Sequence, residues 1–298
     1  MGIESFRCHN CSKCLGTGCI DELPGMGGVN KNENFILNCS AWKKLYDEEG
    51  AAKVPVLPKE KILSLLRYAP VTGAVENIGW EDEEDFYYDF FVTLYNSGVK
   101  FSIGDGCPDL KLLYGIRAIQ AIQKEKDKSC RAAVFLKPYP DENLLNRVVW
   151  SLPVASHIGI DIDSYNIVTM RNKVNLEKKS ATQIKSLMKR VTVPFVIKGV
   201  FTREDIELVK EVKPDVIYIS NHGGRVETKI GSTAEFLYEN AKILKENCSE
   251  IWIDGGVRTK KDIQTALFYG ADQVILARPL IRATFDNVYK EFVGNLLK

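Results

Sequence analysis

What most limits the folds open to this chain is a rhythm of short apolar segment, polar or glycine-bearing exit and amphipathic stretch, repeated along most of its length. Eight segments have strand length and β-branched content, at residues 69–75, 100–104, 131–137, 157–163, 194–199, 215–220, 251–255 and 273–278. Helical patterns occupy most intervals, at 85–97, 109–124, 141–150, 181–190, 202–211, 233–246 and 259–270. Strands that are apolar nearly throughout belong in a parallel sheet covered by helices, because burial on both faces leaves no polar side. Eight is the number that closes a (β/α)8 barrel. An open doubly wound sheet fits the alternation too, but no Gly-x-Gly-x-x-Gly follows the first strand, and polar residues end many strands rather than one. The expectation is an α/β chain, a (β/α)8 TIM barrel over 69–298 after a cysteine-rich segment with packing helices over 1–68. One such helix is expected to start at Asn38-Cys39-Ser40 and run through Trp42, Leu45 and Tyr46, another at Pro58 to run through Ile62 and Leu65.

The 298 residues carry 40 lysines and arginines against 39 aspartates and glutamates, a formal net charge of +1 spread along the chain. Such a balance lacks the basic face that nucleic acid or an anionic membrane requires, which leaves a small molecule as the expected partner. No run approaches the roughly 18 apolar residues of a membrane span. The first 20 positions are polar and cysteine-rich, unlike a signal peptide, so a cytoplasmic location is expected. Eight cysteines in that compartment read as thiols or metal ligands. Cys8, Cys11, Cys14 and Cys19 have C-x2-C-x2-C-x4-C spacing, in which short turns aim successive thiolates inward, as iron–sulfur and zinc loops do. They are candidate ligands for an iron–sulfur cluster or zinc, with Cys39 as a further one; free structural thiols are the alternative.

Chemistry collects beyond the strands. In a parallel barrel every strand C-terminus opens onto one face, so residues distant in sequence meet if each lies just past its strand. The sixth strand runs into Ser220-Asn221-His222-Gly223-Gly224-Arg225. An imidazole held by the sheet, two glycines that let the chain turn and a guanidinium brought back to the same pocket suit a proton acceptor beside an anion clamp. For that segment alone, a strand cap, a turn and a surface charge is the alternative. The seventh strand continues as Asp254-Gly255-Gly256-Val257-Arg258 and the eighth as Ala277-Arg278, where glycine amides and fork-shaped guanidiniums suit a phosphate. Lys198, near the end of the apolar fifth strand, needs an electron-rich neighbour, because a buried ammonium alone is costly.

With Ile-Lys-Gly-Val, Ser-Asn-His-Gly-Gly-Arg, Asp-Gly-Gly-Val-Arg and Ala-Arg-Pro in this order and spacing, the chain resembles the FMN-dependent α-hydroxy acid dehydrogenases and oxidases, glycolate and lactate oxidases among them. The resemblance covers residues 69–278 and is strongest from Val196 onward. It implies a β/α barrel that binds FMN, with Lys198 at the flavin N1/O2 edge, Ser220 near the ring and Thr72, Gly73 and Ala74 beside it. It also implies Asp254, Gly255, Gly256, Val257, Arg258, Ala277 and Arg278 on the ribityl phosphate, His222 as proton acceptor and Arg225 as binder of the substrate carboxylate. The implied reaction is oxidation of a small 2-hydroxy acid or related carboxylated anion by a homo-oligomer, with electrons passed to an acceptor the sequence leaves unidentified. If the N-terminal cysteines hold a cluster, electrons would leave through it. A flavin-dependent isomerase of the type-2 isopentenyl diphosphate isomerase kind and a flavin-binding protein without turnover are the alternatives; His222 with Arg225 argues against the isomerase.

The chain departs from that family in its first half. On the third strand, where the family offers a glutamine and a tyrosine, it has Phe135 and Lys137; on the fourth, Asp161 stands for a threonine, with Asp163 two residues on. The family's tyrosine-bearing N-terminal helix has no counterpart. Either Lys137 binds substrate, rebuilding the pocket with Asp161 and Asp105 for a different or larger anion, or Lys137 and Asp161 pair with each other. Arg171 is the nearest counterpart of a second carboxylate arginine. His157 is expected to be structural, at the opposite barrel end, and Cys107 to precede a helix rather than act as a nucleophile.

Overall fold

Parallel strands β1 Leu66–Tyr68, β2 Ser102–Gly104, β3 Ala132–Leu136, β4 Ala155–Asp161, β5 Phe195–Val200, β6 Val216–Ile219, β7 Glu250–Ile253 and β8 Gln273–Leu276 form one sheet in the order β1-β8-β7-β6-β5-β4-β3-β2. The ring closes between β1 and β2 through a parallel bridge of Arg67 with Lys100, where the Tyr68 amide donates to the Lys100 carbonyl at 2.8 Å. The expected (β/α)8 barrel is thus present in a computed structural model that describes residues 33–49, 56–74, 80, 82–166, 174–226, 228–285 and 287–297. Cys8, Cys11, Cys14, Cys19 and Arg171 lie outside the described residues.

Helices α1 Glu33–Glu49 and α2 Lys59–Leu65 precede the barrel. Each strand is then followed by a helix: α3 Glu83–Ser97, α4 Leu110–Glu125, α5 Asp141–Ser151, α6 Ala181–Met188, α7 Arg203–Val212, α8 Thr233–Lys245, α9 Lys260–Phe268 and α10 Arg278–Phe285, with α11 Tyr289–Leu297 last. Side chains alternate along a strand, so one set faces the helices and the other fills the barrel. Val134, Ile160, Ile197, Ile217, Ile253 and Val274 belong to the outer core, whereas Ala133, Phe135, Val196, Tyr218, Trp252 and Ile275 fill the inside. Capping boxes at Ser180, Thr202 and Thr259 fix where α6, α7 and α9 begin.

Two expectations change. The first strand lies at Leu66–Tyr68, upstream of residues 69–75 and inside the stretch assigned to the extension. Its middle residue, Arg67, is buried inside the barrel, bonded to Gln273 Oε1 at 2.9 Å and stacked 4.3 Å from the Trp252 ring, so a core position carries a charge. Helix α1 starts at Glu33 rather than at Asn38-Cys39-Ser40. Asn38 does not cap it, because its side chain turns across to Asn221. His157, inside β4, meets Trp252 edge to face at 4.9 Å on the end of the barrel away from the motifs, the structural role expected of it. Among the described residues no helix is long and apolar enough to cross a membrane.

Candidate active site

Strand register places the charged residues side by side. Leu136 is paired with Ile160, Asp161 with Lys198, Lys198 with Tyr218 and Ile219 with Ile253. Lys137, Asp161, Lys198, Ser220 and Asp254 therefore share the inward parity of Phe135, Tyr218 and Trp252, one step nearer the strands' C-terminal rim. Five polar residues from five strands make the top layer of the barrel interior.

Lys198 Nζ donates to Asp161 Oδ1 at 2.8 Å and lies 3.5 Å from His222 Nδ1. That imidazole nitrogen is 3.0 Å from Asp163 Oδ1. The tautomer that satisfies the contact carries its proton on Nδ1 and leaves the Nε2 lone pair free to accept another. The chain reaches this arrangement through a left-handed turn, with φ of 57° at His222, 66° at Gly223 and 91° at Gly224. Asn221 Oδ1 holds the turn by accepting from the Gly224 amide at 3.0 Å, and Ser220 Oγ accepts from the His222 amide at 3.1 Å. Room for Asp163 comes from Gly199, where a Cβ would stand 2.7 Å from the carboxyl carbon. Pairing Asp163 with His222 escaped the sequence reading. Asp163 lies two residues beyond the end of β4, so no strand pattern signalled the contact.

The charges set the protonation states. Burial, the Lys198 ammonium and the positive charges of Lys137 and Arg225 hold His222 well below its usual 6.5, against the pull of Asp161, so the imidazole is neutral. Burial alone would lower Lys198, but Asp161, Asp163 and Asp254 outweigh it and raise the ammonium above its usual range. Burial raises the Asp161 and Asp163 carboxyls against the attraction of Lys198. Ligand atoms of Asp161, Asp163 and His222 come within 4.8 Å of one another, close enough for a metal ion, but the Lys198 ammonium already supplies the cation there.

Lys137 does not pair with Asp161, which closes that alternative. Asp161 is taken by Lys198, and Asp105 accepts from Arg147 Nε at 3.0 Å and from the Lys137 backbone amide at 3.1 Å. Tyr218 Oη and Ser220 Oγ both donate to Asp254 Oδ2, at 2.7 and 3.1 Å. Asp254 Oδ1 is buried without a hydrogen-bond partner.

A second positive group lies over the last two strands. The Arg278 guanidinium stacks 3.7 Å from the Phe35 ring, Arg258 lies 6.0 Å from the same ring and 3.8 Å from Cys39 Sγ, and Arg225 Nη1 donates to the His222 carbonyl at 3.4 Å. Burial with the like charges of Arg258 and Arg225 pushes Arg278 well below its usual range, and burial takes Arg225 down to about 10. The neighbouring glycine turn is covered by α1: a Cβ on Gly256 would be 1.9 Å from the Asn38 carbonyl oxygen, and Trp42 Nε1 donates to the Gly255 carbonyl at 2.7 Å. The glycines thus allow a close approach of α1 on the side where a Cβ would lie. Val257 is buried in the outer core, Ala277 packs against the inner one, Ala74 is buried, and the Gly73 amide donates to Glu83 Oε1 at 3.0 Å. Thr72 lies against the end of β2, where a Cβ on Gly104 would meet its methyl at 2.8 Å.

Residues 122–286, more than half of the chain, match the profile described as FMN-dependent dehydrogenase. The chain belongs to the FMN-dependent dehydrogenase family. Within that family it is similar to 2-hydroxyacid oxidase 2 of Rattus norvegicus, 37% identical over 97 residues that cover 32% of this chain and 27% of that protein. It is likewise 40% identical over 113 residues to L-lactate dehydrogenase (cytochrome) of Wickerhamomyces anomalus, covering 37% of this chain and 19% of that one. The matched stretches thus span well under half of either relative. A solved mandelate oxidase variant with benzaldehyde superposes over 89% of this chain and 84% of its own at a TM-score of 0.65 and 16% identity, a likeness of fold.

Two features of the site fit the cofactor named in the family's description. The orphaned Asp254 Oδ1 offers a buried acceptor to a sugar-like hydroxyl. Arg225, Arg258 and Arg278 crowd together at a cost that an anion such as phosphate would relieve.

Proposed function

We propose that this chain is an FMN-dependent oxidoreductase that converts a small 2-hydroxy acid, or a related carboxylated anion, to the 2-oxo acid. The observation that carries the reading is the His222 imidazole at the barrel mouth, its Nδ1 3.0 Å from Asp163 and its carbonyl accepting from Arg225. Arg258 and Arg278 would take the cofactor phosphate with the turn of Gly255, Gly256 and Val257 and with Ala277, Asp254 a ribityl hydroxyl, and Thr72, Gly73, Ala74 and Ser220 the ring. Lys198 would lie at the N1/O2 edge. When bound there, FMN would supply an acceptor for the two electrons and the second proton.

Oxidation of C–OH to C=O removes two electrons and two protons. His222 Nε2 accepts one of the protons, which an imidazole can do near neutral pH. Asp163 steadies the imidazolium so formed, and Arg225 fixes the carboxylate so that one end of the substrate is oriented before reaction. The Lys198 ammonium favours negative charge at the edge it faces, an effect strongest where water is excluded. The C-x2-C-x2-C-x4-C segment extends the proposal to an iron–sulfur cluster or zinc at Cys8, Cys11, Cys14 and Cys19, with a redox partner as the final acceptor.

The test is purification with FMN followed by anaerobic mixing with 2-hydroxy acids. Yellow protein that bleaches, and stays yellow when His222→Ala is mixed with the same acids, is the expected result. A protein that neither carries nor takes up FMN would overturn the assignment, and iron and zinc analysis of the same sample decides the cysteine segment.

A further inference from the structure

Lys137 is the charged side chain of the barrel mouth that the reaction above does not use. It is 6% exposed, yet among the described residues its ammonium makes no hydrogen bond or ion pair. The carboxylates that attract it are Asp161, Asp105 and Asp163, of which Asp161 is held by Lys198 at 2.8 Å, Asp105 by Arg147 at 3.0 Å, and Asp163 faces His222 at 3.0 Å. An ammonium nearly closed off from water and without a partner is costly, and a site that keeps one gains when an anion arrives. Leu136 pairs with Ile160, which sets Lys137 beside Asp161, and Asp161 Oδ1 is 3.7 Å from His222 Nδ1, so Lys137 stands one neighbour away from the imidazole, while Arg225 Nη1 lies 3.4 Å from the His222 carbonyl. One of these two cations is enough for the carboxylate common to every 2-hydroxy acid.

We propose that Lys137 recognises a second carboxylate, so that the preferred substrate is a 2-hydroxy dicarboxylate whose far end this lysine holds. The inference rests on the hydroxy acid reading above and narrows it. A carboxylate rather than a phosphate matches a single ammonium, because a dianion would leave one negative charge buried and unbalanced. Asp161 and Asp163 add to this discrimination, since negative charge already lines the remaining wall.

The holoprotein is titrated anaerobically with matched pairs of equal carbon count, malate against 2-hydroxybutyrate and 2-hydroxyglutarate against 2-hydroxypentanoate, with flavin absorbance reporting binding and bleaching. At least one diacid should bind ten-fold or more tightly than its monoacid. Lys137→Met should abolish that preference, weakening the diacid at least ten-fold more than its monoacid, with the FMN content unchanged. If Lys137→Met weakens both members of a pair equally, or neither, the second-carboxylate role is overturned and the hydroxy acid reading stands. If monoacids bleach the flavin and no diacid binds better, the role is likewise overturned. If a flavin-loaded protein responds to none of the acids, the hydroxy acid reading itself fails and takes this inference with it.

Discussion

Asn38 and Asn221 exchange side-chain hydrogen bonds across the sequence, Asn38 Nδ2 donating to Asn221 Oδ1 at 2.8 Å and Asn221 Nδ2 to Asn38 Oδ1 at 3.1 Å. Both residues are fully buried, and Asn38 Oδ1 also accepts from the Thr233 amide at 3.0 Å. The pair ties α1 to the turn that presents His222. Asn38→Ala would leave the Thr233 N–H without this acceptor and remove two of the hydrogen bonds of the Asn221 amide, in a dry setting where each unsatisfied group costs about 1–3 kcal/mol. Urea denaturation should therefore show a loss of about 2–4 kcal/mol. Asn38→Asp, which keeps the acceptor for Thr233, should lose less.

The contact of Asp163 with His222 predicts an effect on rate rather than on binding. Asp163→Asn cannot accept from Nδ1–H without turning its amide, so the proton is drawn to the wrong ring nitrogen and Nε2 loses its role. Flavin reduction by substrate should slow by about 10²–10⁴-fold, the span of a general base, with FMN content unchanged. Stopped-flow reduction measures it; a variant within three-fold of the parent would show that the carboxylate does not set the tautomer.

Protonation of His222 gives the pH dependence its sign. As proton acceptor the imidazole would work only when neutral, and the fold holds its pKa well below 6.5. The rate of flavin reduction should stay level as pH falls to 6.5 and decline only below it. An acid limb centred at or above 6.5 would mean that Lys198, Lys137 and Arg225 do not depress the histidine.

The strand exits were legible because barrel strands are apolar on both faces and stop abruptly at polar residues; Ser220, His222, Asp254 and Arg278 stood out for that reason. Contacts between strands were not legible. Asp161 meets Lys198 through register, and Asp163 meets His222 where the segments after β4 and β6 come together, contacts between distant parts of the chain. Tertiary contacts also overrode local cues: Asn38-Cys39-Ser40 has the composition of a helix cap but lies within α1, and Arg67 hides a strand behind a buried charge.

Arg278 sits where the demands of the empty and the loaded protein oppose each other. Its positive charge repels Arg258 and Arg225, and a bound phosphate would offset that repulsion. Arg278→Gln should leave the FMN-free protein as stable or more stable, while FMN affinity falls by roughly 10–100-fold, the worth of a charge-assisted hydrogen bond of about 1.5–3 kcal/mol. Melting curves with and without FMN read both effects, since a ligand stabilises in proportion to its occupancy. Destabilisation of the FMN-free variant would show that the stack of Arg278 on Phe35 outweighs the repulsion.

His157 predicts a stability change at low pH. Burial, with the positive charge of Arg67, brings its folded-state value from 6.5 to about 4. Between those values the unfolded chain binds the proton and the folded one resists, so this residue's contribution to stability is intact above 6.5 and is lost as pH falls toward 4. Discounted for partial exposure, the loss is about 2 kcal/mol. Asp105 acts in the opposite sense in an overlapping window: burial raises it from 3.8 to about 6, so its protonation on acidification favours the folded state. The two partly cancel in the parent protein, which is why His157→Gln is the informative comparison. Denaturant titrations of both proteins at pH 7 and pH 4.5 should show the variant gaining on the parent by about that amount as the solution is acidified. A difference that does not move with pH would mean that His157 takes up its proton in the fold as readily as in water.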